Sequence, residues 1–333
     1  MLLLLSAWLT VSCGRSGYTE FGGYAQGGTW RVKANLSAVE STPEEIQARM
    51  DGILEDIDNS LSGYNKNSIL SRFNTGEAVR PDALFLDMYA KAYRLWEESG
   101  GALDCAAGPL FDIWGFGFRN DSLPDPELVR RTMETCGMGR LLPDLEVDGK
   151  GFARSGGARL NFNAIAQGYS CDLIADYLHS IGVSDMLVDI GEIYCEGLNP
   201  KGQPWRVGID RPTDGNNTPG ADLDGIWESS GGKGCGVVTS GNYRKFYIKD
   251  GVKYSHTIDP RTGYPVEHNL LSATIIAPSA LLADAYATCC MVVGFDEARA
   301  FIESRDDVEG YLICGSAEGM SEWASDGFRL IKK

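Results

Sequence analysis

Asp284 stands in an otherwise apolar run from Ala280 to Ala287, and Thr288 follows it by four residues. Four residues is one helical turn, so on a helix the two side chains share a face, with Cβ atoms about 5–6 Å apart. A carboxylate in such company must be paired, bound to a metal, or on an exposed stripe. A carboxylate and a hydroxyl at that spacing suit a hard cation such as Mg2+, which prefers oxygen ligands and takes up substrate phosphates. The spacing suits equally a solvated Asp and a Thr bonding back into its own helix. His256, one of three histidines, lies two residues before Ile258-Asp259-Pro260. A lone histidine is more often structural, but this one could accept a proton from an attacking hydroxyl. Asp259 could order the loop or orient the histidine.

A third feature is the stretch Asn161-Phe-Asn-Ala-Ile-Ala-Gln-Gly-Tyr169. Arg159 to Phe162 alternates as a half-buried strand does. Asn163 reads as an N-cap for a helix running to about Ile181, with Cys171, Ile174, Leu178 and Ile181 on one face. The turn at Asn163–Ala164 would aim a helix amino end beyond the strand, a ready site for a phosphate. The same pattern also describes an ordinary strand–helix–strand unit.

The elements that must position these groups follow from periodicity and punctuation. Tyr18 to Leu36 reads as a hairpin turning at Gly27-Gly28. Thr42-Pro43-Glu44-Glu45 opens a helix by a capping box, with Ile46, Met50, Ile53, Leu54, Ile57 and Leu61 inward. It stops at Ser62-Gly63 and delivers Tyr64 into a loop. A second helix is expected over Pro81 to Ser99. The glycine- and aromatic-rich segment Ala102 to Gly117 suits either a loop against a flat ligand or plain turn packing. Asp125 caps a short helix expected to end at Cys136-Gly137. Asp148-Gly149 and Gly156-Gly157 mark hairpin turns. Strands are expected at Leu187–Ile190, Trp205–Asp210, Val237–Tyr243 and Leu270–Ala277, with two more near Tyr311 and Phe328. Asp250-Gly251 reads as another hairpin turn. Thr213 to Gly232 reads as a long mobile loop. Ser279 caps the helix that carries Asp284, which should end near Val293.

Composition narrows the class. The chain has 333 residues and a formal charge of -16. That supports one large core and argues against nucleic acid as a partner, but not against a phosphorylated small molecule. Leu2 to Val11 is apolar but too short to span a bilayer, which needs about 20 residues. It resembles an export signal ending before Cys13, the candidate lipidation site, although no Lys or Arg precedes it and Thr10 stands where leucine is usual. Residues 1–17 then form an anchor segment, 18–333 one domain, and the protein is membrane-tethered through lipid alone, facing the periplasm. The remaining cysteines include no C-x-x-C pair and read as buried thiols.

Four stretches in the same order resemble the ApbE-type FAD:protein FMN transferases: Gly100 to Gly117, Asn163 to Tyr169, His256 to Gly263, and Ala283 to Thr288. Gly28-Thr29-x-Arg31 and Thr239-Ser-Gly-Asn-Tyr243 agree with them. The resemblance covers nearly everything after Tyr18. It implies an α+β fold of two intertwined α/β halves, T-fold-like, with an FAD cleft between them. It also implies an Mg2+-dependent enzyme that transfers FMN from FAD to a Thr or Ser of a partner protein and releases AMP. The metal would be held by the Ala164 carbonyl, Asp284 and Thr288, with the Ala287 backbone beside it. FAD contacts would fall at Thr29, Tyr64, Ala102, Leu103, Asp104, Asn161, Gln167, Ser240, Gly241, Ile258 and Asp259, and His256 would be the base. Acceptors in the family are subunits of membrane electron-transfer complexes. The chain departs from the family in four places: Asn161 replaces Asp, Gln167 replaces Lys, Gly27 replaces Met, and Gly191-Glu192 is one glycine short. An aromatic residue at Tyr64 goes with transfer rather than hydrolysis. The rivals are an FAD pyrophosphatase and a non-catalytic flavin-binding lipoprotein.

Overall fold

The structure is a computed structural model that describes residues 17–115, 123–140, 159–216, 218–243, 246–249, 252–255, 257–316 and 318–332. His256, Cys13 and the turns expected at Asp148-Gly149, Gly156-Gly157 and Asp250-Gly251 lie outside the described residues.

The chain begins with the expected hairpin, β1 (Tyr18–Ala25) and β2 (Gly28–Asn35), paired from Tyr18↔Asn35 to Ala25↔Gly28. The first helix, α1 (Pro43–Leu61), carries the full capping box. The Glu45 N–H donates to Thr42 Oγ1 at 3.3 Å, and the Thr42 N–H donates to Glu45 Oε2 at 2.9 Å. Its buried face is the predicted one. Then come α2 (Ile69–Asn74), α3 (Ala83–Glu98, capped by Asp82), α4 (Gly108–Ile113) and α5 (Pro126–Met133). Neither α2 nor α4 has a strong local pattern. The segment from Ala102 is thus partly helical rather than all loop. The Asp125-capped helix ends at Met133, short of Cys136, and a single 3-10 turn, Met138–Arg140, follows.

Arg159 to Phe162 makes one parallel bridge, Ala107 to Arg159, and is not the strand its alternation suggests. It is pinned instead by a side chain from α2. Asn74 Nδ2 donates to the Leu160 carbonyl at 2.7 Å, and the Leu160 N–H donates to Asn74 Oδ1 at 2.9 Å. Beyond it lie α6 (Ala166–Ser180), β3 (Met186–Asp189), β4 (Ile193–Glu196), β5 (Arg206–Asp210), β6 (Leu223–Glu228) and β7 (Cys235–Gly241). The segment Thr213 to Gly232, read as a loop, therefore contains a strand, because Trp227 packs on a partner strand. The chain finishes with β8 (Phe246–Lys249), β9 (Val252–Ser255), β10 (Ile258–Asp259), β11 (Tyr264–Pro265), β12 (Leu270–Ala277), α7 (Ala280–Val293), α8 (Phe295–Glu303), β13 (Glu309–Ser316), β14 (Gly319–Ala324) and β15 (Leu330–Lys332). Ser279 caps α7 as expected, its Oγ accepting the Leu282 N–H at 3.2 Å. The helix α8 was not expected.

Eight strands form one antiparallel sheet in the order β1-β2-β3-β4-β7-β12-β13-β14, so both ends of the chain contribute to a single α+β layer. Side chains alternate across it. Val238 and Ile275 join the large core under α1, α3, α6 and α7, whereas Val237 and Ile276 join a second core on the opposite face. There a three-stranded sheet, β15-β6-β5, covers them with Trp205, Trp227 and Phe328. No helix among the described residues is long and apolar enough to cross a membrane.

Candidate active site

The helices α6 and α7 pack with no room for a side chain at Gly168. A Cβ there would lie 2.4 Å from the Ala280 carbonyl oxygen and 2.9 Å from the Asp284 Cβ. This close approach lets each helix cap the other. The Gly168 N–H, in the first turn of α6, donates to Asp284 Oδ2 at 3.2 Å. In return the N–H groups of Ala280 and Leu281, opening α7, donate to Asp172 Oδ1 and Oδ2 at 2.7 and 3.0 Å. Helix starts carry unpaired N–H groups and a positive dipole end, so both carboxylates sit where charge is favoured. Asn163 does not serve as the N-cap. α6 starts two residues later than predicted, with Ile165 at its cap position and no side-chain cap bond. The N–H groups that an Asn163 cap would have served, those of Ile165 and Ala166, donate instead to the Phe162 carbonyl at 3.0 and 2.9 Å, and Asp284 from the neighbouring helix takes the Gly168 N–H.

Asp284 is nonetheless under-compensated. Its side chain is 6% exposed, and its hydrogen-bond partner among the described residues is that one N–H. Burial, partly opposed by the Gly168 N–H and reinforced by the Asp172 charge, pushes its carboxyl up to about 8. Burial similarly lifts Asp172 to about 6 against its backbone donors. The Gly168 N–H goes to Asp284 rather than back one turn, and among the described residues no backbone N–H bonds to the Ala164 carbonyl. A buried carboxylate lacking a counter-charge, a hydroxyl one turn on and a backbone carbonyl are an all-oxygen donor set, which fits Mg2+. Among the described residues no cluster of three His, Cys, Asp or Glu forms a conventional metal site. The donor set here is instead one carboxylate with neutral oxygens.

Ala164, Asp284 and Thr288 all open onto one cleft of about 670 Å³, within the usual range for small-molecule sites. Its other walls include Tyr64, Ala102, Leu103, Asp104, Asn161, Gln167, Ser240, Gly241 and Ile258, so the structure brings together most of the residues singled out from sequence. Thr257 and Pro260, which flank Ile258, line it too. Thr29 lies outside this lining, exposed on the β1–β2 hairpin. Ala287 is fully buried and lies outside it as well.

Asp259 also lies outside the lining, because its carboxylate holds Arg261. Asp259 Oδ1 accepts the Arg261 backbone N–H and Nε–H, both at 2.9 Å, and Oδ2 accepts from the Arg261 guanidinium at 2.9 Å. Of the two roles open to Asp259, the structure thus shows loop ordering.

Several wall residues are held by bonds that no local pattern advertises. The Asp104 carboxylate accepts the N–H groups of Ala106 and Met138 at 2.8 and 3.0 Å, closing the loop before α4. Burial raises its pKa against those donors. Asn161 donates its N–H to the Cys105 carbonyl at 2.6 Å and accepts the Asn163 N–H at 2.9 Å. Tyr64, 70% exposed at the rim, accepts from Asn163 Nδ2 at 3.3 Å. Gln167 rests on the turn at Gly191, whose φ is +89°. A Cβ at Gly191 would meet Gln167 Nε2 at 2.5 Å. The shortened glycine motif is thus accommodated by one glycine in a turn closed by the Ile190 N–H and the Glu192 carbonyl at 3.0 Å. Glu192 lines the cleft without having been singled out as a site residue.

Known structures share this fold. The apo form of the Pseudomonas stutzeri flavinyl transferase ApbE aligns with a TM-score of 0.79 at 32% identity, covering 93% of this chain and 95% of its own. The flavin transferase ApbE from Vibrio cholerae aligns at 0.77 and 32%, covering 93% and 98%. The fold is that of the flavin-transferase class. The ApbE family model matches residues 27–312, and the chain belongs to that family. Among its relatives, the FAD:protein FMN transferase of Salmonella typhimurium is 33% identical over 329 residues, 93% of this chain and 88% of the relative. The Vibrio cholerae protein of the same name is 32% identical over 346 residues, 99% of this chain and 97% of the relative.

Proposed function

We propose that this protein is an Mg2+-dependent FAD:protein FMN transferase, with residues 18–333 as one catalytic unit. It moves FMN from FAD onto a threonine or serine hydroxyl of a partner protein and releases AMP. The observation that carries this reading is the buried Asp284 carboxylate, with one N–H partner among the described residues, opening onto the cleft at a helix start. Asp284, Thr288 and the Ala164 carbonyl would hold Mg2+, with the Ala287 backbone beside them. When bound, the ion would neutralise pyrophosphate oxygens and make the phosphorus more electrophilic.

The protein's own groups do the rest. The amino end of α6 favours the negative pyrophosphate. Ala102, Leu103, Asn161, Gln167, Ser240, Gly241 and Ile258 wall the nucleotide, and Tyr64 covers the mouth. A threonine hydroxyl is a poor nucleophile at neutral pH, so a base must take its proton. His256 is assigned that role, and the lining position of Thr257 and Ile258 supports it. The hydroxyl oxygen bonds to the FMN phosphorus, the bond to the AMP oxygen breaks, and AMP leaves. Tyr64 favours transfer over hydrolysis. The acceptor is assigned to subunits of membrane electron-transfer complexes. Cys13 is the proposed lipid anchor, facing the periplasm, a reading supported by the apolar run that precedes it.

The test is incubation with FAD, Mg2+ and a candidate acceptor. Flavin fluorescence should stay with the acceptor on a denaturing gel, with one AMP released per flavin bound. Free FMN without protein-bound flavin would replace transfer by hydrolysis. FAD binding without AMP at any Mg2+ concentration would leave only a carrier.

A further inference from the structure

Asp172 has no contact with the cleft, yet it is tied to the groups that do. The two helices are joined by two rungs: Asp172 to Ala280 and Leu281, and Gly168 to Asp284. Along α6 the rungs are four residues apart, and along α7 they are also four apart, in the opposite direction. The rise is about 6 Å on each helix, so the helices run antiparallel in fixed register. Thr288 lies one further turn along α7, and Ala164 lies just before α6 begins, four residues ahead of Gly168; both open onto the cleft. The Asp172 end of this ladder faces a separate cavity of about 400 Å³, lined also by Lys91, Arg94 and Tyr169.

We infer that Asp172 is a positioning residue: by gripping the start of α7 it sets the sliding register that holds Asp284 and Thr288 opposite Ala164. A slip of α7 by even a fraction of a turn would carry Asp284 off the Gly168 N–H and part the three oxygens. Gly168 sets how closely the helices approach, and Asp172 sets where along each other they stop. The bond is two-pronged, one oxygen to each N–H, which resists rotation as well as sliding. Without Asp172 the α7 start would keep only its local Ser279 cap, which fixes nothing relative to α6.

This inference rests on the Mg2+-dependent reading above, and its test separates the two. FAD binding to the full chain is followed by flavin fluorescence while Mg2+ is titrated, in wild type, Asp172→Asn and Asp172→Ala, well below each protein's unfolding midpoint. Asn keeps one acceptor oxygen and Ala none. The half-saturating Mg2+ concentration should rise a few-fold in Asp172→Asn and at least tenfold in Asp172→Ala, with metal-independent FAD affinity changed less than twofold. Should Asp172→Ala not fold, Asp172→Asn alone decides. A lowered unfolding midpoint with unchanged Mg2+ half-saturation would mean an ordinary helix cap and overturn the inference alone. Wild-type binding that ignores Mg2+ would overturn the parent reading and this inference with it.

Discussion

Asp284→Asn in the metal-free protein isolates the strain of the buried carboxylate. Asn is nearly the same size and keeps an oxygen for the Gly168 N–H, so packing changes little. What it removes is the ionisable group, which burial raises from 3.8 to about 8. Between those values the folded protein keeps a proton that the unfolded chain has released. Stability therefore falls as pH rises, tenfold in the folding constant per unit, and levels off above 8. Between pH 5 and pH 7 the wild type should lose about 3 kcal/mol relative to Asp284→Asn. Asp172, lifted to about 6, interacts with Asp284, so the pH-dependent difference reports the pair, with the more deeply buried Asp284 as its main source. The assay is denaturant unfolding of both proteins in a chelating buffer at pH 5, 6 and 7. Adding Mg2+ with FAD should restore the wild type selectively at pH 7. A stability difference that is the same at pH 5 and pH 7 would refute the claim that this carboxylate is buried without compensation.

Three further outcomes follow from individual contacts. Gly168→Ala must push α6 and α7 apart against the Ala280 carbonyl; it should cost about 1–3 kcal/mol in denaturant unfolding and abolish flavin transfer, the loss expected of overpacking a tight contact. Gly191→Ala forces a side chain into a left-handed conformation and against Gln167; it should cost about 1–2 kcal/mol and raise the KM for FAD in steady-state assays. Cys195 and Cys235 face each other across β4 and β7, and a hydrogen bond from Cys195 holds the Cys235 thiol below its usual value. Burial pushes the Cys105, Cys171 and Cys290 thiols up, so native alkylation at pH 8, read by peptide mass spectrometry, should label Cys235 ahead of those three.

What could be read from sequence, and what could not, divides on where each group finds its partner. α1 and α7 were legible because Thr42 and Ser279 satisfy donors three residues away and the apolar spacing repeats for several turns. The strand β6 was not, because its glycine- and aspartate-rich surroundings look like a loop, and its order comes from Trp227 packing under a sheet. The short helices α2 and α4 likewise depend on what they pack against. Asp284 and Thr288 could be found by spacing alone, but whether they were solvated or turned inward could not. That depended on Gly168, more than a hundred residues earlier in the chain. The misplaced cap at Asn163 has the same origin. A local rule assigned the α6 start to its nearest polar side chain, whereas the fold satisfies it with a carboxylate from the adjoining helix. A helix start that declines its local cap leaves donors for something remote, and in this protein the remote partner is the acid at the centre of the cleft. Mismatch between predicted and observed capping is therefore informative here: it falls on a helix start whose charged partner comes from the adjoining helix and opens onto the cleft.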